Sequence, residues 1–244
     1  MNGTLLERDV FGHFVKPGEV TEVRAFISGK HLAWGNEYSK GIVSGYFDCH
    51  ASFCDSIRAL DKLPHEGIYF TLQVIDPRLL ARAFNRLAVL KTTTSDRDVI
   101  AYRWLPIDLD PVRPAGISAS DAELEAAISL RDEIAEKISS SYQLPPPVRA
   151  ISGNGAHLLY RLPDLAAKDY SATVKSYLEE ISQRFSNSAV HVDSKNFNPA
   201  RIWKLFGTTA RKGDPVPAGN GRPARPHRLA YIDGVPEWMH SKQS

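Results

Sequence analysis

The stretch "WLPIDLDPVRPAG", residues 104–116, places two aspartates, Asp108 and Asp110, one residue apart in an otherwise apolar run. Ionised carboxylates are rarely buried unless they are paired or hold a metal. On a strand, residues two apart share a face. The two carboxylates would then project side by side, with Ile107 and Leu109 anchoring the opposite face in a core. Pro111 cannot donate a ladder hydrogen bond and should end the strand. Both acids would stand at that strand end, where a cation can reach them. Alone, such a pair is more often a solvated strand terminus, so the rest of the chain must decide.

A third acid closes the short strand expected in "AVHVDSKNF", at Asp193. Three aspartates brought together can hold two hard cations ~3.5–4 Å apart, the clamp used for in-line attack at phosphorus. Mg²⁺ and Mn²⁺ prefer oxygen ligands and keep positions open for substrate phosphates. "SGNGAH" supplies what the carboxylates lack. Gly153 and Gly155 let backbone N–H groups approach an anion, Ser152 and Asn154 can donate, and His157 follows on the next strand. Each piece also has a plainer reading: a cap for Asp193, and a tight hairpin with a core histidine for "SGNGAH". Beyond Asp193, the stretch from Arg201 to Arg228 carries Lys204, Arg211, Lys212, Arg222 and Arg225 against the single acid Asp214. Such a segment is either a solvated loop or a surface for phosphates.

The elements that must position these residues follow from pattern. "VTEVRAFISG", "GIVSGYFD" and "GIYFTLQVI" read as strands, and "SFCDSIRALDKL" as a short helix. "DPRLLARAFNRLAVL" predicts a helix opened by Asp76 with Pro77 in its first turn. After the aspartate strand, "SASDAELEAAISLRDEIAEKISSSY" predicts a long helix with Ser120 and Glu123 as a capping box. "VRAISGNGAHLLYRL" reads as two strands around a Gly-Asn-Gly turn, "KDYSATVKSYLEEISQRF" as a second amphipathic helix, and "KGDPVPAGNGRPARP" as a loop. From residue 99 the order is β-α-β-β-α-β, the split βαβ of an RNA-recognition-motif-like module. The expectation is an α+β protein in which this catalytic module, residues 99–244, packs against a smaller N-terminal α/β module, residues 1–98.

With those elements in place, "IDLDP", "SGNGAH" and "VHVDSKNFNPARIWKLFGTTARKGD" resemble the three motifs of the archaeo-eukaryotic primase superfamily. The likeness is greatest to the primase-polymerase domains of plasmids, phages and some CRISPR loci, and it covers most of residues 20 to 232. The resemblance implies Asp108, Asp110 and Asp193 as catalytic ligands of two Mg²⁺ or Mn²⁺ ions. It implies Ser152, Gly153, Asn154 and His157 as triphosphate contacts, and Arg201 and Lys204 near the phosphates of the incoming nucleotide. Arg211, Lys212 and Arg24 would face nucleotide or nucleic acid. The implied partners are a single-stranded DNA template, a primer strand and NTP or dNTP, with a helicase or other domain fused or associated downstream. Many relatives have Glu where this chain has Asp110; Asp keeps the charge and ligand type. No structural zinc is expected, because no adequate ligand set is present.

Bulk properties set outer bounds. A chain of 244 residues with 43% hydrophobic residues can bury a sizeable core. No apolar run reaches the ~20 residues that span a bilayer, and "MNGTLLERDVFGHF" lacks a basic region followed by an apolar stretch. The two cysteines, Cys49 and Cys54, argue for a reducing, cytoplasmic setting; with His50 they read as ordinary residues in or near a helix. Two other functions compete. A metal-dependent glycosyltransferase also uses a DxD, but leaves Asp193 and the basic segment unexplained. A non-catalytic nucleic-acid-binding module leaves three acids that would repel a phosphate backbone.

Overall fold

The computed structural model describes residues 7–28, 40–142 and 144–240. The mixed α/β architecture is built on two large antiparallel sheets, beside which β11 (Thr209–Ala210) and β12 (Arg228–Leu229) pair as a small third one. The first combines β1 (Thr21–Ser28), β2 (Lys40–Phe47), β3 (His65–Thr71), β5 (Leu87–Val89) and β10 (Ile202–Lys204) in the order β10-β3-β1-β2-β5. The second combines β4 (Val74–Ile75), β6 (Val99–Pro111), β7 (Val148–Ile151), β8 (Ala156–Ala166) and β13 (Tyr231–Gly234) in the order β13-β7-β8-β6-β4. A short β9 (Val190–Val192) also pairs with β6, beside its C-terminal end. The central run of the second sheet is therefore β9-β6-β8-β7, every neighbour antiparallel. Strands cross between the halves of the chain: β10 adds to β3, and β4 pairs with β6.

Two cores follow from strand alternation. Helices α1 (Glu7–Phe14) and α2 (His50–Asp61) bring Phe14, Phe53 and Ile57 against Val23, Ile68 and Phe70 of the first sheet. The same cluster takes in Trp104, Val148 and Leu159, from the inward face of the second sheet. Its other face carries Ile107, Leu109 and Leu158 under α3 (Asp121–Tyr142) and α4 (Ala167–Phe185), through Ile134, Ile138, Leu178 and Ile181. The capping box opens α3: Ser120 N–H donates to Glu123 Oε2 (2.8 Å) and Glu123 N–H to Ser120 Oγ (3.3 Å).

Two stretches differ from expectation. The helix over residues 76–90 is absent. Asp76 does cap, accepting from the Arg78 N–H, but only a 3₁₀ turn, Pro77–Arg82, follows. Asn85 then turns the chain at φ +47° and β5 joins β2. Edge pairing with β2 outweighs the helical propensity of this Leu/Ala/Arg-rich segment, because propensity is a weak prior. The strand over 67–75 breaks after Thr71 and changes sheets at Gln73. That buried side chain accepts from Arg103 N–H (2.8 Å) and Trp104 N–H (3.1 Å) and donates to Trp104 O (2.9 Å), filling a register shift in β6. Beside it, the buried Arg103 holds both Glu19 and Asp164.

Candidate active site

The C-terminal end of β6 carries the paired acids on the face that turns toward the first sheet. Ile107 and Leu109, fully buried, hold the opposite face in the core. Asp108 lies across from His157 on β8 and Asp110 across from His191 on β9. Asp193 is stitched alongside by its backbone N–H, which donates to the carbonyl of Asp108 (2.9 Å). The three residues line one cleft of about 390 Å³, together with Ser152, Asn154 and His157 and with Arg201, Lys204 and Lys212.

Each carboxylate has a distinct setting. Asp108 is mostly buried; its Oδ1 is 3.2 Å from His157 Nε2 and its Oδ2 accepts from Asn196 Nδ2 (3.1 Å). Asp110 is half exposed, 3.9 Å from Arg113. Its carboxyl is pushed up to about 6, first by the charge of Asp108 and then by burial, against the pull of Arg113, Lys212 and His157. Asp193 Oδ1 accepts the Lys195 N–H (2.7 Å). Among the described residues no three His, Cys, Asp or Glu side chains converge as a ligand cluster. The Asp108–Asp110 pair nevertheless fits a hard divalent cation in its chemistry: all-oxygen donors, adjacent, and repelling each other strongly enough to disfavour double ionisation.

The "SGNGAH" turn is bound mainly to the protein itself. Gly155 N–H donates to Ser152 Oγ (3.0 Å), and Asn154 accepts from Ala119 N–H and donates to Lys212 O (2.9 Å each). The glycines serve packing: a Cβ at Gly155 would stand 2.3 Å from Leu109 O, and one at Gly153, φ +103°, would stand 2.4 Å from Ala210 Cβ. His157 is 3% exposed, its ring edge-on to Trp203 and Phe206 at 5.0 and 5.9 Å. Its Nε2 reaches Asp108, and its buried Nδ1 has no hydrogen-bond partner among the described residues.

The cations divide into those that line the cleft and those that do not. Lys204 is 6% exposed, donating to Thr208 Oγ1 (2.9 Å) and Thr209 O (3.0 Å), and burial brings its ammonium down to about 7. Arg201, at the rim, donates to Asn198 Oδ1 and Lys195 O. Lys212 is exposed. Arg211 instead turns away onto His65 and the Asp61 carbonyl. Arg24 is held by both oxygens of the fully buried Glu22 and is not part of the cleft lining.

Sequence reasoning missed several lining residues, among them Asn196, Arg113, Phe26, Tyr69 and the acid Glu66. Asn196 and Arg113 each follow a recognised acid by three positions, and that spacing was the available signal. Phe26 and Tyr69, rings 5.6 Å apart and T-shaped, form an aromatic wall from neighbouring strands of the first sheet. No local pattern announces them, because only the stacking of the two sheets turns that face toward the acids.

No family model matches the chain, and no curated protein matches it. Among solved structures it is similar to the archaeo-eukaryotic primase domain of the cyanophage S-2L primase-polymerase, with 12% identity, 93% of this chain and 86% of that one covered, and a TM-score of 0.49. It is also similar to the polymerase domain of Ligase D from Mycobacterium tuberculosis in complex with DNA, with 12% identity, 91% and 80% covered, and a TM-score of 0.44. Likeness at this level assigns neither activity nor site residues, so the functional reading rests on the cleft.

Proposed function

We propose that this protein is a DNA primase-polymerase, a template-directed nucleotidyltransferase that makes or extends primers on single-stranded DNA from NTP or dNTP. The observation that carries the reading is the cleft itself. Two adjacent, mutually repelling carboxylates on β6 have a third acid stitched beside them, and Arg201, Lys204 and Lys212 line the same space. A metal–triphosphate substrate matches both halves of that charge pattern. The β9-β6-β8-β7 run is read as the split βαβ core of the module 99–244, with 1–98, joined by β10, supplying the opposite wall.

In this reading Asp108 and Asp110, with Asp193 alongside, would hold two Mg²⁺ or Mn²⁺ ions. Held there, the ions would supply Lewis acidity at the α-phosphate, a lowered pKa for the attacking 3′-hydroxyl and charge to offset the leaving pyrophosphate. The chain's own residues do the positioning. His157 and Asn196 fix the Asp108 carboxylate from two sides, and Lys204 presents its ammonium from a buried, pre-ordered position. Arg201 and Lys212 add charge for the phosphates, and Ser152 stands at the mouth of the turn. Arg24 and Arg211, tied to Glu22 and to Asp61 with His65, support the walls. The 3′-oxygen displaces pyrophosphate at the α-phosphorus without a covalent enzyme intermediate, so the work is orientation and charge compensation.

The test is incorporation of labelled nucleotides on unprimed single-stranded DNA with Mn²⁺, beside an Asp108→Ala control. Short template-dependent products that vanish in the control are expected. No product on unprimed template, and none on a primed one, would overturn the reading.

A further inference from the structure

The segment 77–91, which overlaps the helix expected over 76–90, carries Arg78, Arg82, Arg86 and Lys91 and no acid after Asp76. Its path is set by a clamp. Asn85 holds a left-handed backbone at φ +47°, uncommon for a residue with a side chain. Asn85 Oδ1 accepts from the N–H groups of Asp48 and Cys49 (3.2 Å each), and Nδ2 donates to Asp48 Oδ1 (2.6 Å). Along the backbone, Tyr46 N–H donates to Ala83 O and Asn85 N–H to Tyr46 O. Gly45 permits the close approach on the far side, since a Cβ there would stand 2.3 Å from Arg86 O. Between these fixed points stands Phe84, 63% exposed, the most exposed large hydrophobic residue among those described.

A single exposed apolar side chain needs no explanation. One held outward by a strained turn, secured on both sides, is a built feature. The charges around it are also sorted. Arg82 is occupied by Tyr46, Thr93 and Asp98, and Arg78 by Asp76. Arg86 and Lys91 are exposed and make no ion pair among the described residues. The neighbouring acid, Asp48, is engaged by Asn85. An aromatic face beside unpaired cations is the combination that binds single-stranded nucleic acid, through base stacking and phosphate contacts.

We propose that Phe84 is a stacking platform for one base of a single-stranded nucleic acid, with Arg86, two residues away, taking an adjacent phosphate and Lys91, beyond β5, adding positive charge along the same edge. The sheet order β3-β1-β2-β5 puts this edge two strand spacings, about 10 Å, from β1 and three, about 14 Å, from β3, the two strands that wall the cleft. That separation is short enough for a few nucleotides to span. The identity of the bound nucleic acid as template rests on the polymerase reading; the binding itself needs no catalysis.

Fluorescence anisotropy with a labelled oligothymidine tests it. Phe84→Ala should weaken binding by between about fivefold and a hundredfold, the loss of one stacked base. Phe84→Trp should keep wild-type affinity, whereas Phe84→Leu, apolar but without a π-face, should fall with the alanine variant. Arg86→Ala should lower the slope of log affinity against log salt by about 0.7, and Phe84→Ala should leave that slope unchanged. Phe84 is exposed, so none of its variants disturbs the core. Wild-type affinity in Phe84→Ala or Phe84→Leu, with the wild type binding normally, overturns the platform alone. Absence of binding by the wild type overturns the polymerase reading as well.

Discussion

Replacing Asp110 with asparagine should make the protein more stable while abolishing the proposed nucleotidyl transfer. The Asp110 carboxyl rises from the ordinary 3.8 to about 6 in the folded protein, chiefly because Asp108 is charged beside it. A shift of roughly two units corresponds to ~3 kcal/mol, but the side chain is 52% exposed, and solvent screening reduces this to about 1 kcal/mol. An acid whose folded pKa is raised favours the fold while it is protonated. That stability is fully present below the unfolded pKa near 3.8 and is lost as pH rises through about 6. Above that range the ionised Asp110 therefore opposes folding, and the neutral, isosteric asparagine does not. Thermal melts at about pH 8 should show Asp110→Asn higher by ~2–4 °C, a gap that closes near pH 4. Millimolar Mn²⁺ should raise the wild type more than the variant, because a ligand bound only by the folded state stabilises by mass action. A variant melting at or below the wild type at the higher pH, or a gap that ignores pH, would refute the argument that the two carboxylates repel.

Three further outcomes concern the cleft and the turns near it. Burial holds Lys204 near 7, so its ammonium is charged below that value and lost above it. The apparent KM for nucleotide should climb by up to about tenfold per unit between roughly pH 7 and 9, and Lys204→Met should start high and stay flat, as read by steady-state primer extension. Gly153→Ala forces a Cβ to within 2.4 Å of Ala210 Cβ at φ +103°; overpacking of ~1–3 kcal/mol should lower the melting temperature by roughly 2–12 °C. Gly116→Ala, with φ +79° and nothing within 4 Å, isolates the backbone strain and should cost about 1 kcal/mol.

What the sequence determined by itself was local and periodic. Alternation around Asp108 and Asp110 set which face of β6 carries acid, because a strand's period of two leaves no other arrangement once Ile107 and Leu109 are buried. The Ser120–Glu123 spacing marked the start of α3, since a capping box acts within one turn. Tertiary structure decided the rest. Whether 76–90 became helix or edge strand depended on the free edge of β2, which no local propensity encodes. The partners of side chains in the cleft were likewise set by context: His157 reaches Asp108, and Asn154 reaches Ala119 and Lys212. Phe26 and Tyr69 reach the cleft because two sheets, each drawing strands from distant parts of the chain, face each other. Spacing along a chain fixes which residues share a face, whereas what that face meets is set by contacts distant in sequence.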